Sequence, residues 1–92
     1  MYLFIHSMIG KEIRQQRLLK GYSQCYMSYK LEISQNAYSK IELGQTDLTL
    51  RRLIQIAGIL EVPITSLLST VLKIYEENNA LTRIKGLKSD TH

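Results

Sequence analysis

Apolar residues recur along most of this chain at intervals of three and four, the spacing of one face of an α-helix. The stripes predict helices over about residues 11–20, 24–31, 35–43 and 50–60. Pro63, the only proline, suits the start of a fifth helix, whose apolar pattern continues to about Glu77. Alternation typical of a strand is confined to residues 2–5. The pattern as a whole predicts an all-α domain.

The ends of these segments carry residues that begin and end helices. Ser23, Ser34 and Thr49 stand where a hydroxyl can accept a hydrogen bond from a backbone N–H of the first helical turn. Gly21 and Gly44 stand where a helix ends in a left-handed residue, a conformation that glycine adopts without steric cost. The predicted boundaries therefore rest on local chemistry as well as on periodicity.

The second and third predicted helices are separated by only three residues, so they must cross at a steep angle. Small Ser28 is expected at their closest approach. The apolar residues that would join this pair to the core are Met27, Leu31, Ile33, Tyr38 and Ile41. The fourth helix is expected to contribute Leu50, Leu53, Ile54, Ala57 and Leu60. Such spacing is typical of a helix-turn-helix over about residues 24–43.

Composition narrows the class of protein further. Ninety-two residues are enough for one hydrophobic core and too few for two. Cys25 is the only cysteine, which excludes an intrachain disulfide framework and favours a cytoplasmic location. No apolar run approaches the roughly 18 residues of a membrane helix. The net charge of +4 is spread evenly over both halves, so it permits an anionic partner without requiring one.

Whole segments of the chain resemble the phage-repressor type of helix-turn-helix protein, also called the Cro/CI or XRE family. The resemblance is carried by Ile33-Ser-Gln-Asn-Ala-Tyr-Ser-Lys-Ile-Glu-Leu-Gly44, with Ser23-Gln24 eighteen residues before Glu42. It covers residues 8–68 and implies a five-helix, lambda-repressor-like DNA-binding domain. Residues 1–7 would then be a lead-in, and residues 69–92 a helical extension with a polar tail. The implied function is sequence-specific transcriptional regulation, without catalysis or a cofactor.

The resemblance also implies roles for individual side chains on double-stranded DNA. Base edges in the major groove would be read by Gln35, Asn36, Ser39 and Lys40. Phosphates would be contacted by Gln24 and, through backbone N–H groups of a loop, by Gly44, Gln45 and Thr46. Glutamine and asparagine suit base reading because each can make two hydrogen bonds to adenine. Arg51 and Arg52 could face flanking phosphates or solvent.

Other positions matched by the family have structural roles or depart from its pattern. Arg17 and Glu42 match a pair that forms a buried salt bridge between the first and third helices, and Tyr38 matches a core position and is interpreted as packing. Glu32 stands in the turn where the family often has glycine, so it would be strained if its φ were positive. Leu48 replaces a frequent proline, which predicts a looser loop before the fourth helix.

The apolar pattern beyond residue 68 exceeds what a closed five-helix domain needs. It either packs back on its own domain or forms a dimer interface. The dimer is favoured, because two recognition helices about one DNA turn apart read a two-fold operator. The predicted interface residues are Leu67, Leu68, Val71, Leu72 and Tyr75. Residues 2–5 could join this interface as a short strand, or they could belong to a disordered lead-in.

Three functions are compatible with the sequence. The favoured one is a dimeric repressor acting at the nucleoid on an inverted-repeat operator. The second is an antitoxin-type autoregulator, with residues 69–92 bound to a toxin or antirepressor protein. The third is a protein-interaction module that has kept the fold without binding DNA. The polar recognition face favours DNA, because a protein-docking face would be apolar. No residue spacing indicates catalysis or a metal site, and Cys25 is interpreted as an incidental surface thiol.

Overall fold

A computed structural model describes residues 2–77, and throughout that range the regular elements are helices. In chain order they are α1 (Tyr2–Lys20), α2 (Gln24–Leu31), α3 (Gln35–Leu43), α4 (Leu50–Leu60), α5 (Ile64–Leu67) and α6 (residues 69–77). α2 and α3 pack on each other as the predicted helix-turn-helix, and α1 packs on α3. α4 packs on α1 and α2, and α5 packs on α1 and α4. The all-α prediction is confirmed. The remainder of the predicted extension, residues 78–92, lies outside the described residues.

The first helix begins nine residues earlier than its predicted start at residue 11, at Tyr2. The short strand and the disordered lead-in predicted for the residues before Met8 are therefore wrong. Ile5, Ile9 and Ile13 are spaced by four, and all three pack in or against the core. A spacing of four favours one continuous helical face, whereas a strand would need a spacing of two.

Two glycines bring the backbones of α1 and α3 into contact. A Cβ atom on Gly10 would lie 2.4 Å from the carbonyl oxygen of Glu42 and 2.7 Å from that of Ile41. A Cβ atom on Gly44 would lie 2.6 Å from the Cα of Ser7. Any larger residue at either position would push the helices apart, so these contacts set the position of α3 relative to α1.

The core differs from its predicted composition mainly in α4. Leu50 is 67% exposed and Ile54 is 55% exposed, so their predicted burial is wrong. Ile56, absent from the predicted stripe, is fully buried. The core side of the helix is instead formed by Leu53, Ile56, Ala57 and Leu60. Both stripes have helical spacing, and the packing of α4 against α1 and α2 selects this one.

The single helix predicted from Pro63 to about Glu77 is two helices. α5 ends at Leu67, and Leu68 has φ −104° and ψ 4°, outside the helical region. The Ser69 hydroxyl donates a hydrogen bond of 3.3 Å to the Ser66 carbonyl oxygen. Serine hydroxyls that bond back to a helix carbonyl compete with the regular backbone hydrogen bonds and bend the helix.

The predicted N-caps are confirmed, because the Ser23, Ser34 and Thr49 side chains accept hydrogen bonds of 2.9 to 3.1 Å from backbone N–H groups three residues later. Glu32, which ends α2, has φ 59° and ψ 42°, so the strain expected in this turn is present. Glu61 ends α4 in the same left-handed conformation. Leu48 is half-buried against the core, and the looser loop expected at this position stays a prediction.

Replacing Glu32 with glycine is expected to raise the free energy of unfolding by about 0.5–1.5 kcal/mol, because glycine removes the left-handed penalty. Urea denaturation measures the change. Gly21→Ala is the mirror control: Gly21 has φ 76° and open space around its missing Cβ, so alanine there tests backbone strain alone. It should lose about 1 kcal/mol. Loss of stability in Glu32→Gly would contradict the assigned strain.

Candidate nucleic-acid interface

The first turn of α3 presents polar side chains to solvent. Ser34 caps this helix by accepting a hydrogen bond of 3.0 Å from the Ala37 N–H. Gln35 and Asn36 follow it directly, and both are exposed. One turn later Lys40 is exposed and Ser39 is half-buried. The four side chains predicted to read bases thus lie together on the outer side of α3. The buried residues of this helix are Tyr38, Ile41 and Glu42.

Behind this surface, a buried ion pair joins α1 to α3. The Arg17 guanidinium donates from Nε to Oε2 of Glu42 at 2.6 Å and from Nη2 to Oε1 at 3.1 Å. The side chains are only 8% and 2% exposed. A third guanidinium nitrogen, Nη1, donates to the Tyr22 carbonyl oxygen at 2.9 Å. Two-point pairing and the extra acceptor satisfy the buried cation, which would otherwise be costly to desolvate.

The same carboxylate accepts two further hydrogen bonds. The Tyr38 hydroxyl donates to Oε2 of Glu42 at 2.5 Å, so Tyr38 is more than the packing residue that the sequence predicted. The amide nitrogen of Gln24 donates to Oε1 at 3.0 Å. Gln24 is the first residue of α2, so this bond fixes the start of α2 against α3. An amide nitrogen carries two hydrogens, and the second can donate outward to another acceptor.

The charge states of this cluster are set by its hydrogen bonds. Burial alone would raise the pKa of Glu42, but hydrogen bonds from Arg17, Tyr38 and Gln24 outweigh it and hold that pKa below its ordinary value. The hydrogen bond to Glu42 raises the pKa of Arg17. Burial, followed by the Glu42 carboxylate, raises the pKa of Tyr38 far above its ordinary value. The carboxylate therefore stays charged, and the tyrosine stays a donor.

In the loop after α3, two backbone N–H groups are already hydrogen-bonded within the protein, whereas two side chains are exposed. The Gly44 N–H donates to the Ile41 carbonyl oxygen at 3.1 Å, and the Gln45 N–H donates to that of Lys40 at 2.9 Å. Both groups close the end of α3, so the predicted role of their N–H groups toward phosphate is wrong. The Gln45 and Thr46 side chains are exposed beside them.

Sequence reasoning missed a histidine next to this loop. His6, on the early part of α1, lies with its Nε2 atom 4.0 Å from Oδ1 of Asp47. Together with residues 44–47 it lines a cavity of about 320 Å³. The four-residue spacing of Ile5, Ile9 and Ile13 could have revealed this residue. It predicts that α1 extends back past this loop, which places His6 inside the domain.

Three further side chains that the sequence singled out lie on α2 and α4. Arg52 donates to Oε1 of Gln55 at 3.1 Å and lies 3.4 Å from the Leu31 carbonyl oxygen, so it folds back on the protein, whereas Arg51 is exposed. Cys25 is exposed on α2. Among residues 2–77, no three histidine, cysteine or acidic side chains come together as metal ligands. Over the same residues, no helix has both the length and the apolarity needed to cross a bilayer.

A family model described as Helix-turn-helix matches residues 13–67, more than half of the chain. The chain belongs to the XRE-type helix-turn-helix family. This regulator is therefore a DNA-binding protein of transcriptional control. Its fold is similar to the crystal structure of the clp gene regulator ClgR from Corynebacterium glutamicum, with a TM-score of 0.70 and 16% sequence identity over 96% of each chain. No curated protein gives a significant sequence match.

Replacing Glu42 with glutamine is expected to cost on the order of 3–5 kcal/mol of folding stability, because it leaves Arg17 buried without its counter-charge. Tyr38→Phe is a milder variant that removes one hydrogen bond to a charged group, and it should cost about 1.5–3 kcal/mol. Chemical denaturation followed by circular dichroism measures both. A Glu42→Gln protein as stable as the parent would contradict this account of the ion pair.

The lowered pKa of Glu42 also predicts how stability depends on pH. A carboxyl group whose pKa is lower in the folded state stabilises the fold above its ordinary value, here 4.5. That contribution is lost as the pH falls through the lower, folded-state pKa. The free energy of unfolding should therefore fall less steeply below pH 4.5 in Glu42→Gln than in the parent.

Proposed function

We propose that this regulator is a dimeric repressor that reads an inverted-repeat operator through the major groove and blocks transcription by occupying it. The proposal is supported above all by the exposed polar face at the start of α3, formed by Gln35, Asn36, Ser39 and Lys40. In helix-turn-helix proteins the first turns of the recognition helix are the part that enters the groove. A surface made to dock a protein would be expected to carry apolar residues there.

The DNA groups proposed for each of these residues follow from side-chain chemistry. Gln35 and Asn36 can each make a bidentate pair with adenine, whereas Lys40 can reach a guanine edge or a phosphate. Ser39 is half-buried, so its contact would be short and close to the helix. Most of these groups are neutral, and a neutral amide releases no counterion from DNA. The salt dependence of binding should accordingly be shallow for a repressor, with few phosphates neutralised per subunit.

Phosphate contacts are proposed on both sides of α3. On one side, Gln24 is held in place by Glu42 and can donate its second amide hydrogen to a phosphate. A group held in position before binding loses less entropy on binding than a mobile one. On the other side, the exposed Gln45 and Thr46 side chains can meet the neighbouring strand. Gly44 is half-buried, and its missing Cβ serves the contact with Ser7 of α1, so its proposed role is to position Gln45 and Thr46.

Dimerisation is proposed through α6 and the adjoining part of α1. Tyr75 on α6 is 61% exposed and Phe4 on α1 is 57% exposed, so both helices offer large apolar side chains to a partner. The Thr70 hydroxyl donates to a carboxylate oxygen of Glu12 at 3.0 Å, which ties α6 to α1.

Three of the five residues predicted for the dimer interface pack within their own chain. Leu67 is fully buried in its own chain, and Leu68 and Val71 pack against the same core. These three residues attach the extension to the domain. Leu72 and Tyr75 remain as the proposed interface residues on α6.

The proposed base readers can be tested with the double variant Gln35→Ala/Asn36→Ala. Binding sites are first selected from random duplex DNA, and an inverted repeat is expected. Each lost pair should cost about 1–3 kcal/mol of discrimination, so the variant should bind the selected site little better than random DNA. Gln55→Ala, an exposed glutamine on α4 and outside the proposed DNA and dimer surfaces, should keep full preference. Unchanged preference in the double variant, or no enrichment by the folded parent at low salt, would contradict the proposal.

The dimer is tested by Tyr75→Asp, which places a charge in the proposed apolar interface. Sedimentation should shift from dimer to monomer, and operator affinity should fall by about tenfold or more because the two half-sites are no longer bound together. Leu19→Asp is the matched control, since Leu19 is 78% exposed on another part of α1. A parent that sediments as a monomer at micromolar concentration would refute this interface.

A further inference from the structure

A groove between α2 and α4 has no part in the proposed DNA contacts. Its volume is about 550 Å³, and the lining residues used below are Tyr22, Tyr26, Lys30, Glu32, Gly58 and Glu61. We call it the tyrosine groove. None of the residues of α3 lines it. It therefore stays separate from the surface proposed to enter the major groove of DNA.

Two residues of the tyrosine groove are poor choices for the local backbone. Four residues of the described chain have positive φ, and two of these are glycines, Gly21 and Gly44. The other two are Glu32 and Glu61, with φ of 59° and 57°. Glycine would be less strained at both positions. Both strained residues are acidic, and both line the same groove.

Gly58 is a third such position. It lies inside α4, where alanine would be the better helix former, and it is exposed. A Cβ atom on Gly58 would meet no heavy atom within 4 Å, so packing within the chain does not require glycine here. A side chain would instead extend into the tyrosine groove. The missing Cβ keeps the floor of the groove open.

The chemistry of the groove suits a cation. The Tyr22 and Tyr26 rings lie 4.5 Å apart between centroids, inclined at 43°. The ammonium group of Lys30 already lies 5.9 Å from the centre of the Tyr26 ring, within the range of a cation–π contact. Partial desolvation raises the pKa of Tyr22, and Tyr26 and the Glu61 carboxylate raise it further. The Glu61 carboxylate therefore acts on the Tyr22 ring.

We propose that the tyrosine groove binds an arginine side chain presented by a basic segment of a partner protein. A guanidinium group can stack on a tyrosine ring and pair with a carboxylate in the same pose, because it is flat and carries donors along its edges. Glu32 and Glu61 supply the carboxylates on the walls, and the open floor at Gly58 gives the side chain room. The two carboxylates outnumber the single lysine of the lining, so the charge of the groove favours a cation over a phosphate. Lys30 contacts the Tyr26 ring, so the Tyr22 ring is the one proposed to stack on the incoming guanidinium group.

The test titrates the isotope-labelled full chain with the peptide acetyl-Ala-Arg-Ala-amide and follows the backbone amides by NMR. Saturable shifts are expected at Gly58 and at the two tyrosines. The same peptide with citrulline, which has arginine's shape without its charge, should give none. Glu61→Gln should weaken arginine-peptide binding by about fivefold or more, because it removes one partner of a charge-assisted pair. Glu76→Gln, which removes an equal charge elsewhere, should leave it unchanged.

Gly58→Ala and Glu32→Gly separate binding from folding. Each is expected to raise the melting temperature and at the same time to weaken arginine-peptide binding, a combination that damage to the fold would not produce. Equal binding of the citrulline peptide, unchanged affinity in Gly58→Ala, or shifts confined to α3 would overturn the proposal. Groove shifts on adding operator DNA would also overturn it, because they would assign the groove to DNA. Loss of a dimer in Gly58→Ala would overturn it by assigning the groove to a second copy of the chain. Operator selection by Gly58→Ala reports on the DNA function independently.

Discussion

The Glu42 carboxylate joins the first three helices of this molecule. It accepts hydrogen bonds from Arg17 on α1, from Gln24 at the start of α2 and from Tyr38 on its own helix. A charge buried to this degree is tolerable only when its hydrogen-bonding capacity is filled. The pair therefore acts less as a source of stability than as a geometric constraint. Few other arrangements of α1, α2 and α3 would satisfy the same carboxylate.

This constraint connects the inside of the domain to its surface. Tyr38 and Glu42 lie on the inner side of α3, and Gln35 and Asn36 lie on its outer side. Fixing the inner side fixes the direction in which the outer side chains project. Gln24 takes part in both, since the amide bound to Glu42 is also the proposed phosphate donor. The orientation of α3 and the proposed contact of Gln24 with a DNA phosphate thus depend on one buried anion.

Local chemistry made much of this fold predictable from the sequence. Serine, threonine and glycine at the ends of segments marked the boundaries of α2, α3 and α4, because capping depends on nearby residues alone. The family resemblance pointed to the contact between Arg17 and Glu42. The hydroxyl bond from Tyr38 was missed because a phenylalanine-like interpretation explained its burial equally well.

The remaining errors concern choices that only tertiary packing makes. Two overlapping helical stripes were available in α4, and contact with α1 and α2 selected the one that includes Ile56. The start of α1 was missed because residues 2–5 were interpreted as a strand or a disordered lead-in, and the predicted helix began after Gly10. Its purpose became visible only when the carbonyl oxygens of α3 were found against it. The loop N–H groups of Gly44 and Gln45 were assigned to phosphate before the closing bonds of α3 were known.

The contact of α1 and α3 through Gly10 and Gly44 has a consequence for how such a protein can evolve. The docking of the recognition helix is set by backbone atoms and by buried side chains, none of which faces outward. Substitutions at Gln35, Asn36 or Lys40 leave that docking untouched. Under the proposed function, new binding preferences can therefore arise through changes at the outward residues alone, and the packing that positions them need not change.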